Sequence, residues 1–405
     1  MKIVFINRFF FPDHSATSQL LTDLTLHLAQ NGFDVKVLTS RLISDNSHKM
    51  QPRTDTLHGI EIIRVWSTRF GRKRLAGRTL DYLTFYLSAL WHLLAGTEKG
   101  VLIIAKTDPP LISVVGAVVS RIRGAVLVNW IQDLFPEVAS ALAIDGAQWF
   151  DRPLRAVRNR SLLTAKRNVV IGEGMARKLA GEGIPPAQIR VIHNWADGSA
   201  IHPIEPETNT LRKQWKLEGK FVIGYSGNFG RAHEFGTILM AADLLRNEKD
   251  IVFLFIGDGA QLSSMKRTVE EKALANVIFK PYQPRDLLAL SLSVPDIHVI
   301  SLLPTLEGFI VPSKFYGIAA AGRPILYIGD REGEVPLLIQ NAQCGFTVAP
   351  YDVQRAVDLI SPLTKDPSLC RVLGNRARTL FEQRFEKSYA VGHWQQEITS
   401  AMQCG

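Results

Sequence analysis

Short apolar runs recur along the first half of the chain at residues 2–6, 34–39, 60–65, 101–105, 125–131, 168–171 and 189–193, and most are separated by stretches with apolar residues at helical spacing, beginning at 15–31. Continuous runs of this length predict strands buried on both faces, and their alternation with helices predicts a parallel sheet covered on both sides. The pattern breaks over 194–210, where W-A-D-G-S-A-I-H-P-I-E-P-E-T-N carries two prolines and no apolar period, so this stretch reads as a linker. Alternation then restarts, with strands predicted at 221–226, 251–256, 277–280, 296–301, 324–328 and 345–348. The fold class is α/β, with two Rossmann-like doubly wound domains at 1–195 and 211–385, a linker at 196–210, and a ligand cleft between the carboxyl ends of their strands. The last segment, 387–402, is patterned as an amphipathic helix with Tyr389, Val391, Trp394, Ile398 and Met402 toward one side.

Length and composition agree with two ordinary cores: 405 residues, 46% hydrophobic, and nothing that suggests disorder. Three cysteines, Cys344, Cys370 and Cys404, are widely spaced with no CxxC or histidine partner. Neither a disulfide framework nor a zinc site is indicated, and a reducing cytoplasmic setting fits. No run of about 20 apolar residues is present, so no spanning helix is expected. The opening residues read as a first strand and not as a signal peptide.

Charge adds an asymmetry. The formal net charge is +9, and residues 1–200 hold 25 Lys plus Arg against 16 Asp plus Glu, while the remainder holds 22 of each. The first half therefore suits an anionic partner: a membrane surface, a nucleic acid or an acidic substrate. Within it, basic residues from Arg69 to Arg78 precede an aromatic and leucine-rich helical stretch, 80–94, and a second basic stretch covers 152–167. Cations beside an apolar helix are how a protein lies on anionic lipid; a buried core helix with a solvated basic loop reads equally well.

Candidate chemistry falls in loops at strand ends. After the first strand, F-F-P-D-H-S-A-T-S-Q opens a helix near Ser15, which suits a sugar or phosphate through His14, Ser15, Thr17 and Ser18, or simply an N-cap at Ser15. After the fifth, N-W-I-Q-D-L-F-P-E places Gln132, Asp133 and Glu137 at the sheet edge, where a carboxylate can orient or deprotonate an acceptor hydroxyl, or only cap a turn. The second half opens with G-Y-S-G-N-F-G-R-A-H-E-F, whose glycines allow close approach to a phosphate, followed by a helix from about Glu234. Further on, L-E-G-F-I-V-P-S-K-F-Y-G-I-A-A-A-G-R-P holds Glu307 beside Gly308 and opens a helix with Ser313 and Lys314 in its first turn.

Taken together, these loops and the H-N-W-A-D segment resemble family 4 of the retaining glycosyltransferases over nearly the whole chain. The branch they are most similar to builds bacterial surface polysaccharides, including colanic acid and O-antigen. The resemblance implies a GT-B fold with the acceptor on the first domain, a nucleotide-activated sugar on the second, and residues 386–405 crossing back to the first domain. It also implies metal-independent transfer, the leaving diphosphate being neutralised by basic side chains and helix ends; no cofactor is expected.

Four positions depart from the family pattern. The second glutamate of the family's pair falls on Gly317, the family's diphosphate-binding Arg and Lys fall on Asn228 and His233, with Arg231 or Lys314 as their replacements, and a histidine before the fifth-strand aspartate is Gln132. The expected catalytic residues are Asp133, on the acceptor, and Glu307, on the transferred sugar. Donor contacts are expected from Gly227, Asn228, Gly230, Arg231, His233, Lys280, Ser313, Lys314, Tyr316 and Glu334, and acceptor contacts from His14, Ser15, Thr17, Ser18 and Gln132.

The expected reaction moves a sugar from a nucleoside diphosphate donor, UDP-linked by preference, to a polyprenyl-diphosphate-linked acceptor at the inner face of the cell membrane, where the protein would sit peripherally. A nucleotide-sugar epimerase and a non-catalytic nucleotide-sugar binder are the alternatives. Nucleic acid is disfavoured, because the basic residues accompany a leucine-rich helix and no recognisable motif.

Overall fold

The computed structural model describes residues 2–43, 50–71, 75–144 and 147–403. The chain divides into two compact units, 1–193 with 388–405 and 194–387. Each is built on a mainly parallel sheet.

The first sheet has strands β1 (Lys2–Ile6), β2 (Asp34–Ser40), β3 (Thr54–Leu57), β4 (Ile60–Val65), β5 (Leu102–Lys106), β6 (Val126–Ile131), β7 (Arg167–Val170) and β8 (Ile189–Val191), in the order β3-β4-β2-β1-β5-β6-β7-β8. Seven of these correspond to the apolar runs of the sequence. The exception is β3, Thr-Asp-Thr-Leu, which pairs antiparallel with β4 at the sheet edge. It carries no apolar run because an edge strand has little to bury.

Beneath the sheet, Val4, Ile6, Ile103 and Ala105 pack against Phe85, Ala89 and Leu93 of the helix Leu75–Gly96 and against Ile112, Val115 and Val119 of the helix Ile112–Arg123. The latter stops at Gly124, which takes the left-handed conformation at φ 66°, where a β-carbon would be costly. Among the described residues no helix is long and apolar enough to cross a membrane.

The final helix, Lys387–Gln403, buries Ala390, Val391, Trp394, Ile398 and Ala401. Trp394 lies 4.6 Å from Trp130 of β6, centroid to centroid, His27 meets Gln395 at 2.9 Å, and Arg190 pairs with Glu397 at 3.1 Å. The buried stripe differs from the one read in the sequence at its ends, since Tyr389 is half exposed and Ala390 and Ala401 take the inner positions. Small residues fit where the helix lies close to its neighbours.

The second sheet has β9 (Phe221–Ser226), β10 (Ile251–Ile256), β11 (Val277–Lys280), β12 (Ile297–Ser301), β13 (Ile325–Ile328) and β14 (Gly345–Val348), in the order β11-β10-β9-β12-β13-β14, all parallel. Every residue of β10, Ile-Val-Phe-Leu-Phe-Ile, is buried, as a central parallel strand requires. Residues 194–209 are not a free tether. The Gly198 N–H donates to the Glu386 carboxylate, Asn209 Nδ2 donates to the Leu290 carbonyl, and Asn209 Oδ1 caps the helix Thr210–Gln214, so this stretch is tied to the second unit along its length.

Chain order reverses direction between β1 and β5 in the first sheet and between β9 and β12 in the second. Loops diverge at such points, leaving room for a ligand beyond the strand ends.

Candidate active site

In the second unit the loops after β9 and β12 flank the reversal point, and they bring together residues far apart in sequence. β9 runs into Gly227, whose φ of 131° is closed to other residue types without strain. A β-carbon at Gly227 would lie 2.6 Å from Lys314 Cε, so glycine is what admits the lysine stem.

The Lys314 ammonium donates to His233 Nε2 at 3.3 Å and stands 5.0 Å from the Tyr225 ring centre. His233 Nδ1 lies 2.5 Å from the Ser301 carbonyl. A carbonyl can only accept, so the proton sits on Nδ1 and Nε2 offers a lone pair. Burial, and secondarily the Lys314 charge, push the imidazole down to about 3, which keeps it neutral. Burial also lowers Lys314 to about 8. No carboxylate pairs with this ammonium among the described residues.

A second glycine loop, which the sequence reading passed over, supports the first. Gly257 and Gly259 follow β10 at φ 140° and 154°. A β-carbon at Gly257 would collide with the Gly227 carbonyl, and one at Gly259 would meet Asn228 Oδ1 and Phe229 N at 2.6 Å. Phe229 N–H donates to the Asp258 carbonyl at 2.8 Å, and Gln261 Nε2 reaches the carbonyls of Gly230 at 2.7 Å and His233 at 2.9 Å. The G-D-G triplet directly after an apolar run was the available signal.

The helix expected from Glu234 begins at Gly236, because the Glu234 carboxylate turns forward to accept from Thr237 N–H at 2.9 Å and its hydroxyl at 2.6 Å. Beside His233 opens a groove of about 550 Å³ lined in part by Arg231, Gln261, Leu303 and Tyr351. A cavity of equal size lies at the opposite sheet edge, where β9 and β12 begin. There Arg212 and Asp296 satisfy each other at 3.0 Å, and none of the glycine loops lines it.

Of the expected donor residues, Gly227, Asn228, Gly230, His233 and Lys314 are gathered, with Arg231 and Ser313 exposed beside them. Two expectations are corrected, those for Tyr316 and Lys280. Tyr316 is buried against Phe315 and Phe385 as a core residue, its hydroxyl pKa raised by burial. Lys280 sits 5.5 Å from the Trp215 ring centre, among Ile256 and Ile278 on the other face of the sheet from Tyr225. Glu307 has both carboxylate oxygens engaged, one by Glu334 N–H at 2.9 Å and one by the Tyr327 hydroxyl at 3.3 Å. It thus caps the helix Glu334–Ala342, and burial raises its pKa. Glu334 contributes that backbone N–H.

In the first unit the loops after β1, β5 and β6 meet. Arg8 N–H donates to the Asp108 carbonyl at 2.5 Å, Thr17 Oγ1 reaches Asp108 Oδ2 at 3.3 Å, and Gln132 N–H donates to Thr107 Oγ1 at 2.8 Å. Asp133 has solvent-accessible surface but is crowded by protein, and this desolvation, with the Asp108 carboxylate second, pushes it up to about 6. His14 is exposed, Ser15 half-buried and Gln132 buried.

Ser15 precedes the helix Ala16–Gln30 without capping it through its side chain; Asp13 Oδ1 accepts from the Ser15 N–H instead. Ser18 is fully buried, which removes it from the acceptor set. Glu137 is also turned inward, paired with Arg158 at 2.7 Å and Arg155 at 3.5 Å. Asp108, in the T-D-P-P stretch after β5, was missed although it follows a predicted strand directly.

Comparison with known proteins bears on both units. Residues 17–195 match the model of the glycosyl transferase 4-like domain, and residues 207–380 match that of glycosyl transferases group 1. The chain is 27% identical over 325 residues to the probable glycosyltransferase WbjE of Pseudomonas aeruginosa, covering 79% of each chain. It is 27% identical over 251 residues to the putative colanic acid biosynthesis glycosyl transferase WcaI of Escherichia coli K12, covering 60% of this chain and 61% of that one. Among solved structures, Anabaena HepE in complex with UDP and glucose superposes with a TM-score of 0.73 at 15% identity, over 99% of this chain and 100% of the other; at that identity the likeness speaks to the fold. With two units each reversing strand order beside a ligand-suited loop, and a family model matching each of them, the chain belongs to family 4 of the glycosyltransferases, enzymes of the GT-B fold.

Proposed function

We propose that this glycosyltransferase takes its sugar from a nucleoside diphosphate donor, UDP-linked, and passes it with retention of configuration to an acceptor on a polyprenyl diphosphate lipid during surface polysaccharide synthesis. One observation carries the donor side: a half-buried Lys314 ammonium, between glycine loops, with no carboxylate partner among the described residues. A buried cation costs free energy until an anion arrives beside it. A diphosphate supplies that anion, and HepE, of like fold, was solved with UDP and glucose.

In the reaction the bond between the anomeric carbon and the donor's phosphate oxygen breaks, and its electron pair leaves on the diphosphate. A new bond forms from the acceptor hydroxyl oxygen, whose proton must go to a base. Lys314, held by the neutral His233, stabilises the developing diphosphate charge together with loop N–H groups, without a metal ion. Arg231 and Ser313 add donors at its margin. Asp133, ionised at neutral pH, orients the acceptor hydroxyl and receives its proton, with His14, Ser15, Thr17 and Gln132 on the acceptor side. Glu307 positions the loop of residues 302–313 by capping the following helix.

The acceptor side rests on charge and on kinship: a basic first half and a relative named for colanic acid synthesis. A lipid-borne acceptor implies a protein working peripherally at the inner face of the membrane. The test is incubation of a panel of radiolabelled nucleotide sugars with the protein and membranes, followed by extraction of lipid-linked product. Label entering a polyprenyl-linked lipid from one UDP-sugar supports the proposal; turnover of donor with no acceptor dependence overturns it.

A further inference from the structure

The first unit carries an unusual rim. The helices Leu75–Gly96, Ile112–Arg123 and Ala147–Thr164 lie side by side on one face of its sheet. As crossover helices of a parallel sheet, each starts near the edge where strands end, the edge that also carries Asp133. Around the starts of the first and third of these helices large apolar side chains are exposed, Trp149 at 86% and Phe150 at 63%, with Phe70 at 65% and Trp66 at 57% in the segment before Leu75, and the exposed apolar stripe continues along Leu75–Gly96 through Leu83, Leu87 and Trp91.

This exposure is built in. Asp81, itself buried, accepts from Thr68 Oγ1 at 2.8 Å, Phe70 N–H at 2.9 Å and Gly71 N–H at 3.0 Å, and pairs with the buried Arg8 at 3.5 Å. The segment bearing Phe70 is therefore pinned to its helix with the ring directed outward. The opposite face of the same helix is ordinary core, through Phe85, Ala89 and Leu93.

Charge selects the occupant. Arg69, next to Phe70 in the chain, and Arg152, two residues after Phe150, are both exposed. The only carboxylates on the three helices are Asp81, buried, and Asp151, which pairs with Arg155 at 2.7 Å. The basic cluster expected from the sequence includes Arg72, Lys73 and Arg74, which lie outside the described residues. A second copy seated symmetrically would set arginine against arginine, whereas anionic headgroups meet arginines while the rings enter the acyl boundary.

We infer that this rim, centred on Trp149 and Phe150 with Arg69 and Arg152, is the surface through which the protein docks on an anionic phospholipid bilayer, presenting the acceptor edge of the first sheet to the lipid. The inference rests on the lipid-acceptor reading above and assigns it a place on the molecule.

The test is co-sedimentation of the full chain with vesicles of phosphatidylcholine alone or with roughly one-third phosphatidylglycerol. We compare wild type with a Trp149→Ser/Phe150→Ser pair and an Arg69→Gln/Arg152→Gln pair, all four positions being exposed and so removable without opening a core. The expected result is binding to the phosphatidylglycerol vesicles only, weakened at least about tenfold in each pair, with transfer to a short water-soluble acceptor unchanged. Undiminished vesicle binding by both pairs overturns the inference, as does a wild-type dimer in solution that the ring variants dissociate. If binding behaves as expected but product forms only on soluble acceptors, the docking surface stands and the lipid-acceptor reading fails.

Discussion

The Lys314 ammonium and His233 share a hydrogen bond of 3.3 Å in which the imidazole is the acceptor, because the Ser301 carbonyl claims its only proton at Nδ1. This holds the lysine in place without neutralising it. It also keeps His233 from adding a second charge, since its pKa is depressed to about 3.

A pH dependence follows from the lowered Lys314 pKa. The anion-binding form is the ammonium, which is lost as pH rises through about 8 in the free protein, while a bound diphosphate raises that pKa and retains the proton. Affinity for UDP therefore falls above pH 8 by up to about tenfold per pH unit, measurable by calorimetry across pH 7 to 9.5 with roughly constant ionic strength. A flat profile contradicts a role for this ammonium.

Two Gly→Ala substitutions separate close approach from composition. Gly257→Ala places a methyl group on the Gly227 carbonyl at a φ of 140°. It should cost about 2–4 kcal/mol in stability, with UDP binding weakened in whatever protein folds. Gly392→Ala, in the helix Lys387–Gln403 with nothing within 4 Å of the new β-carbon, should be stabilising by about 0.4–1 kcal/mol. Thermal melts of the two variants check both signs.

Asp133→Asn should lower kcat by roughly 100-fold or more while leaving UDP affinity within about twofold. In the wild type, protonation of a carboxyl held at about 6 predicts loss of turnover as pH falls through that value. Kinetics from pH 5 to 8 show whether that acidic limb disappears in the variant.

Glu307→Ala removes the acceptor for Glu334 N–H and the Tyr327 hydroxyl, at a cost of about 1–3 kcal/mol. Glu307→Gln keeps an oxygen toward one of them and should recover part of it. If Glu307 instead touches the transferred sugar, both variants lose turnover equally without loss of stability.

Much of the frame was legible in the sequence because buried parallel strands must be continuously apolar, as Ile251–Ile256 shows. Thr54–Leu57 was not, since an edge strand exposes polar residues like a loop. Gly227 and Lys314 were legible as local motifs. The brace from Gly257 and Gly259 was not, because its partner loop lies some 30 residues earlier. Carboxylates misled most. Glu137 and Glu307 stand at positions suited to chemistry, yet each is taken up by partners, Arg158 and the Glu334 N–H, that nothing nearby in the sequence announces.

The most direct measurement of the donor site is a UDP titration of wild type and Lys314→Met at pH 7.5, in two buffers of different ionisation enthalpy. Wild type should bind UDP with net proton uptake, since the anion raises the pKa of a lysine held at about 8. Lys314→Met should bind about ten- to a hundredfold more weakly, the equivalent of one charged hydrogen bond, and show no such uptake. Equal affinity and equal proton uptake in the two proteins would contradict the assignment of Lys314 and its glycine loops to the donor diphosphate.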